Sequence, residues 1–182
     1  MMVEEGVLEN PKVDAIYGLH INSATPVGKI RYKAEGIMAA AQRFTIKVQG
    51  KQAHGSAPWM SVDPILISAQ IINGLQSIIS RNSELTKEGA VISVGSIHSG
   101  IRFNIIPDTA EMIGTVRTLD KGMQNIITKR MKELVPQIAA AYGGTATIDI
   151  KETAALTYND PTLTAFAVPS LKNALGEENV EL

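Results

Sequence analysis

Cysteine is absent from these 182 residues, which excludes disulfides and thiolate metal sites and fits a cytosolic setting. An excess of charge is missing too. Seventeen basic side chains face eighteen acidic ones, for a net charge of −1 and no basic block, which argues against nucleic acid or an anionic membrane as the main partner. No apolar run approaches the roughly 18–20 residues needed to cross a bilayer. Met1-Met2-Val3-Glu4-Glu5 lacks the apolar stretch of a signal peptide. Aromatics are sparse at 4%. What is present, 45% hydrophobic and 19% charged residues, is ordinary for a soluble globular protein with a sizeable core.

Residues 1–35 carry too little apolar surface to fold alone. They read as a helix end stopped by Gly6, a short strand Ala15–His20, a turn at Pro26-Val27-Gly28 and a second short strand Lys29–Lys33. From Gly36 the pattern becomes self-consistent. Arg43–Val48 alternates polar and apolar residues, the mark of a strand with one buried face. Asp63-Pro64 gives a helix start, a capping carboxylate followed by proline at the first helical position. Ile71, Ile72, Leu75, Ile78 and Ile79 then recur at helical spacing as far as Arg81-Asn82. Ala90–Ile97 is rich in β-branched residues, and Thr109–Thr118 alternates again. A second helix spans about Lys121 to Tyr142, with Ile127, Met131, Leu134, Ile138 and Tyr142 on one stripe. Pro136 within it predicts a kink, or a break one turn earlier. Gly143-Gly144 stops the helix and Thr145–Lys151 alternates once more.

The order β-α-β-β-α-β predicts a ferredoxin-like α+β sandwich, complete within 36–153. Its four-stranded, largely antiparallel sheet has both helices on one face. The last segment, 154–182, has a turn at Asn159-Asp160-Pro161 and a helix from Thr162. Both flanks read as partial pieces of a larger domain.

The chemistry concentrates in Gly50–Pro58. His54 sits there in a loop bracketed by glycine, serine and proline, between a strand and a helix. An imidazole so placed can donate a hydrogen bond or a proton to a reacting group; the bland alternative is a surface histidine. His20 at the end of its strand is a metal-ligand candidate, or a histidine bonded to backbone. The Asn104 amide can donate to a carboxylate or carbonyl, or bond its own turn. The Arg117 guanidinium can clasp a carboxylate in a bidentate pair, or lie exposed on its strand. His98 reads as a strand-end surface residue, Glu4-Glu5 as a solvated helix terminus, and Trp59 stays undecided between packing and cleft lining.

Gly18-Leu19-His20, Gly50–Pro58, Asp63-Pro64, Asn104–Asp108 and Gly114–Thr118 come in the order and approximate spacing of one family. Together they resemble the zinc-dependent aminoacylase/carboxypeptidase amidohydrolases, in the branch of hippurate hydrolase and N-acyl-amino-acid amidohydrolases. The resemblance implies a two-metal catalytic domain interrupted by a lid, or dimerisation, domain, with 36–153 as that lid and 1–35 and 154–182 as catalytic-domain segments. It implies zinc in the intact enzyme, with manganese or cobalt also accommodated, and none tightly held by this chain alone. Under it His20 is a metal ligand, and His54 reaches from a neighbouring subunit to steady the oxyanion. Asn104 and Arg117 hold the substrate carboxylate, the substrate is an N-acyl amino acid or small peptide-like amide, and the lid forms a homodimer. The rival readings are a non-catalytic dimerisation module, favoured for these residues in isolation, and a small-molecule sensor domain of the same fold.

Overall fold

A computed structural model describes residues 2–182. The strands are β1 (Ile30–Arg31), β2 (Glu35–Met38), β3 (Ala40–Gln49), β4 (Ala53–His54), β5 (Ala90–Ser99), β6 (Ile105–Ile106), β7 (Thr109–Thr118), β8 (Thr145–Ala154), β9 (Thr157–Asn159) and β10 (Val180–Glu181). The helices are α1 (Pro64–Asn82), α2 (Lys121–Ala141) and α3 (Pro161–Leu175). The chain divides into two compact units, Gly36–Tyr158 and a second made of the residues up to Glu35 with Asn159–Leu182.

In Gly36–Tyr158 the main sheet has the order β5-β7-β3-β8, with every neighbouring pair antiparallel. It is the expected β-α-β-β-α-β sandwich, an α+β fold. On β3 the alternation buries Phe44, Ile46 and Val48 and leaves Arg43, Lys47 and Gln49 exposed. Those three meet Ile67, Ile71, Leu75 and Ile78 of α1 and Ile127, Met131, Val135 and Ala139 of α2 in one cluster. The opposite sheet face is polar. There Thr147, Lys47, Glu111 and His98 form a row across all four strands. One residue in β5 breaks the register. Between Val94 and Ser96 the pairing slips by one, which keeps Ile97 opposite buried Met112 and sets His98 opposite Glu111.

Both long helices begin where a carboxylate can cap them. Asp63 Oδ1 accepts from Ile65 N at 2.8 Å and Leu66 N at 3.3 Å, and Pro64 opens α1 as predicted. Asp120 Oδ1 accepts from Met123 N at 2.7 Å, while its Oδ2 pairs with Lys87 Nζ at 2.8 Å. The Lys87 bond, then the Met123 N–H, holds the Asp120 carboxyl below its ordinary 3.8.

Two expectations for α2 change. The helix runs through Pro136 without a break. Pro136 lies on the exposed face, so the carbonyl that loses its partner, on exposed Lys132, is open to water. The buried stripe is Met123, Ile127, Met131, Val135 and Ala139; Leu134 and Ile138 flank it and Tyr142 is exposed.

Gln124 in the same helix is 2% exposed, and neither atom of its amide has a hydrogen-bond partner. An unpaired buried amide costs about 1–3 kcal/mol. Gln124→Met, which keeps the length and removes the polar atoms, is therefore expected to stabilise the fold by about 1–2 kcal/mol. A rise in the urea midpoint at constant m-value checks this; a fall would mean the amide is bonded inside the fold.

In the second unit β1 pairs in parallel with β10, Ile30 opposite Val180 and Arg31 opposite Glu181. Lys29 Nζ and Arg31 Nε both reach the Glu181 carboxylate, and the Lys29 bond first, then Arg31, lowers its pKa. α3 starts at Pro161, capped by Asp160, whose Oδ1 accepts from Leu163 N at 2.9 Å. The described residues up to Leu8 form turns, not a helix end. The strand expected at Ala15–His20 is also not formed, and Ile16, Leu19 and Ile21 are 75%, 86% and 93% exposed. A strand apolar on both faces is stable only between neighbours and under helices, and no described strand lies beside this one.

Candidate functional site

A second, much smaller ribbon brings two of the singled-out residues together. β4 and β6 pair antiparallel, with Ala53 opposite Ile106 and His54 opposite Ile105. The pairing continues one step further, where Gly55 N donates to Asn104 O at 2.8 Å. The approach is so close that a β-carbon on residue 55 would stand 3.1 Å from that oxygen and 3.2 Å from its carbon, and would press on the Asn104 backbone. His54 and Asn104, fifty positions apart in sequence, are thus fixed next to each other by backbone bonds.

The ribbon lies at one end of the sheet. Gly50 N donates to Asp108 O at 2.8 Å, and Lys51 bridges to Val62 just before α1. Pro58–Met60 makes a single 3-10 turn that leaves Trp59 80% exposed, so Trp59 does not pack into the core. Exposed Ile101, Phe103 and Ile65 border a groove at this end, next to Asn104 and the start of α1.

His54 is exposed, and its ring is held by a residue that the sequence did not single out. Nδ1 lies 2.7 Å from Ser56 Oγ, and the Ser56 N–H donates to the same nitrogen at 3.2 Å. A serine two positions after a loop histidine, within reach of its own turn, is the signal that could have found it. The Asn104 side-chain amide forms no bond to its own turn and stands exposed.

Arg117 is not brought to them. It pairs with Ala41 and Val91 at the other end of β7, where β3 begins. The eight residue-to-residue steps from Thr109 to Arg117 extend about 25 Å at strand rise. Its guanidinium donates to Thr115 Oγ1 and Val116 O and makes no ion pair among the described residues. His20, in the other unit, is exposed. Among the described residues no three His, Asp or Glu side chains converge. A stable metal site needs three or four ligands, so the residues present do not fit a metal centre on their own. His98 is exposed on the polar sheet face, with Ser96 Oγ 2.9 Å from its Nε2. Glu4 and Glu5 are exposed.

Comparison with known proteins places the fold in a family. Residues 40–143 match the peptidase dimerisation domain of the M20 family. N-acetylcysteine deacetylase of Bacillus subtilis is 42% identical over 145 residues, which is 80% of this chain and 37% of that protein. Hippurate hydrolase of Campylobacter jejuni is 33% identical over 180 residues, 99% of this chain and 47% of that protein. The crystal structure of the Bacillus subtilis YXEP protein, described as a dinuclear metal binding peptidase of the M20 family, superposes with a TM-score of 0.74 at 34% identity. That match covers 95% of this chain and 42% of the other. The chain therefore spans less than half the length of each of these relatives. It belongs to the M20 amidohydrolase and peptidase family and carries that family's dimerisation domain.

Proposed function

We propose that this chain is the lid and dimerisation part of a metal-dependent amidohydrolase that cleaves the amide bond of N-acyl amino acids or small peptide-like substrates, and that two copies complete each site. One observation carries the reading: His54 and Asn104 sit at one end of the domain, and Arg117 about 25 Å away at the other. A substrate carboxylate and the amide beside it lie only a few ångströms apart, so the three residues of one copy cannot meet on one small substrate. A two-fold partner resolves this by presenting its own His54 and Asn104 to the Arg117 end of the first. Exposed apolar surface beside His54 and the open edge of β5 offer material for that contact.

In this arrangement Arg117 clasps the substrate carboxylate in a bidentate pair. Asn104 donates its amide to the substrate, and the His54 imidazole donates to the oxyanion of the tetrahedral intermediate. The divalent metal, zinc in first place and manganese or cobalt by the same ligand chemistry, would take His20 with ligands from beyond these residues. The chain by itself is read as a dimerising module without activity, and the absence of cysteine fits a cytosolic setting.

Mixing two impaired variants of the intact enzyme tests the shared site. Assayed with substrate well below KM, His54→Ala and Arg117→Ala homodimers are each expected to lose at least nine-tenths of wild-type activity. In a mixed dimer one of the two sites receives Arg117 from one copy and His54 from the other. Random mixing should therefore restore about a quarter of wild-type activity. No recovery in demonstrated heterodimers would show that Arg117 of one copy and His54 of the other do not share a site, and would overturn the reading.

A further inference from the structure

The Ser56 contact sets the proton position on the His54 ring. A neutral imidazole has one N–H and one lone pair, so a nitrogen that accepts cannot carry the proton. The 2.7 Å contact with the Ser56 hydroxyl is silent on this point, because a hydroxyl donates or accepts. The backbone N–H of Ser56 can only donate, and it points at Nδ1 at 3.2 Å. Nδ1 is therefore an acceptor, the hydroxyl turns its hydrogen toward it as well, and the proton resides on Nε2. Nε2 has no hydrogen-bond partner among the described residues. His98 makes the contrast: it faces only a hydroxyl, Ser96 Oγ, so nothing in that contact selects a tautomer.

We propose that Ser56 is a positioning residue that holds His54 as the Nε2–H tautomer, so that the loop presents an N–H donor, and not a lone pair, to its ligand. This rests on the reading of His54 as an oxyanion donor, for which an N–H is the required end of the ring; a lone pair aimed at an oxyanion would repel it. The loop makes the arrangement local. β4 pairing fixes the His54 backbone, Gly55 lets the chain pass Asn104, and the next residue folds back onto the ring. Selection of the tautomer by the bond at the other nitrogen is the device that metal-binding histidines use. Here it orients a hydrogen-bond donor.

Long-range proton–nitrogen correlation spectra of the 182-residue chain, labelled with nitrogen-15 histidine, read this directly. The chain has three histidines, so His20→Gln and His98→Gln assign the signals. At alkaline pH, with the imidazoles neutral, His54 is expected to show a protonated Nε2. Its Nδ1 is expected upfield of the position of a lone pair that accepts no bond. Ser56→Ala keeps the backbone N–H and removes the hydroxyl; with one of its two donors gone, Nδ1 should move part of the way downfield while the proton stays on Nε2. Ser56→Thr should restore the wild-type pattern. A protonated Nδ1 in the wild type, or an Nδ1 signal indifferent to Ser56→Ala, overturns the proposal. The oxyanion reading fails separately: a His54→Ala enzyme with unchanged kcat would sink that reading and leave the tautomer result standing.

Discussion

Gly114→Ala is expected to destabilise Gly36–Tyr158 by about 3 kcal/mol, and Gly114→Val to prevent folding. Gly114 takes a core-facing position on β7 between buried Met112 and Val116, directly opposite Phe44 of β3. A β-carbon there would stand 2.7 Å from Phe44 Cε1, and closer still to Phe44 Cζ and the Ser93 carbonyl oxygen. Neither neighbour can yield cheaply. Phe44 is wholly buried, and Ser93 belongs to a paired strand. The ring fills the place where the glycine has no side chain. The two positions should therefore couple. Phe44→Leu is destabilising alone, yet in a Gly114→Ala background it should recover about 1 kcal/mol, because the clashing ring is gone while the Ser93 clash remains. Urea denaturation of the four proteins closes the cycle. Additive losses would show that the ring and the methyl do not compete for one space.

That pair also shows where sequence patterning stops. The alternation in Arg43–Val48 identified β3, and Asp63-Pro64 with the isoleucine spacing located α1 to the residue, because period and cap are local properties. Gly114 carried no such mark, since its role depends on a ring across the strand. The slip at Val94/Ser96 was equally hidden: a bulge changes register without changing composition. Pro136 misled for the opposite reason. Its local rule predicts a kink or break, and the rule was relaxed by a position facing water. Ala15–His20 kept the composition of a buried strand and lacked the neighbours that would make it one.

The site was legible as residues and not as geometry. His54 and Asn104 stood out in loops of unusual composition, but the ribbon that joins them is two residues on each side, too short to carry any period. Arg117 stood out on its strand. Its distance from the other two follows from the ten-residue length of β7, so Asn104 and Arg117 of one copy cannot grip one small carboxylate together. Ser56 went unread because its partner is a ring nitrogen and its meaning is a tautomer.

In the intact enzyme, His54→Ala is expected to lower kcat by about 10²–10³-fold, the loss seen when one pre-placed oxyanion donor is removed. KM should change much less, because the donated bond strengthens only as charge develops on the carbonyl oxygen. Arg117→Ala should do the reverse in proportion. It removes a clasp on a carboxylate that is charged throughout the reaction, so KM should rise about tenfold or more while kcat falls less. The contrast separates the proposed roles from a general disturbance of the dimer, which would move both parameters alike in both variants. His54 is exposed at the end of β4 and outside the hydrophobic cluster, so the substitution should leave the unfolding midpoint where it was. If His54→Ala raised KM and spared kcat, the imidazole would be a ground-state substrate contact. The N–H that Ser56 sets on Nε2 would then serve binding, and the oxyanion would need another donor.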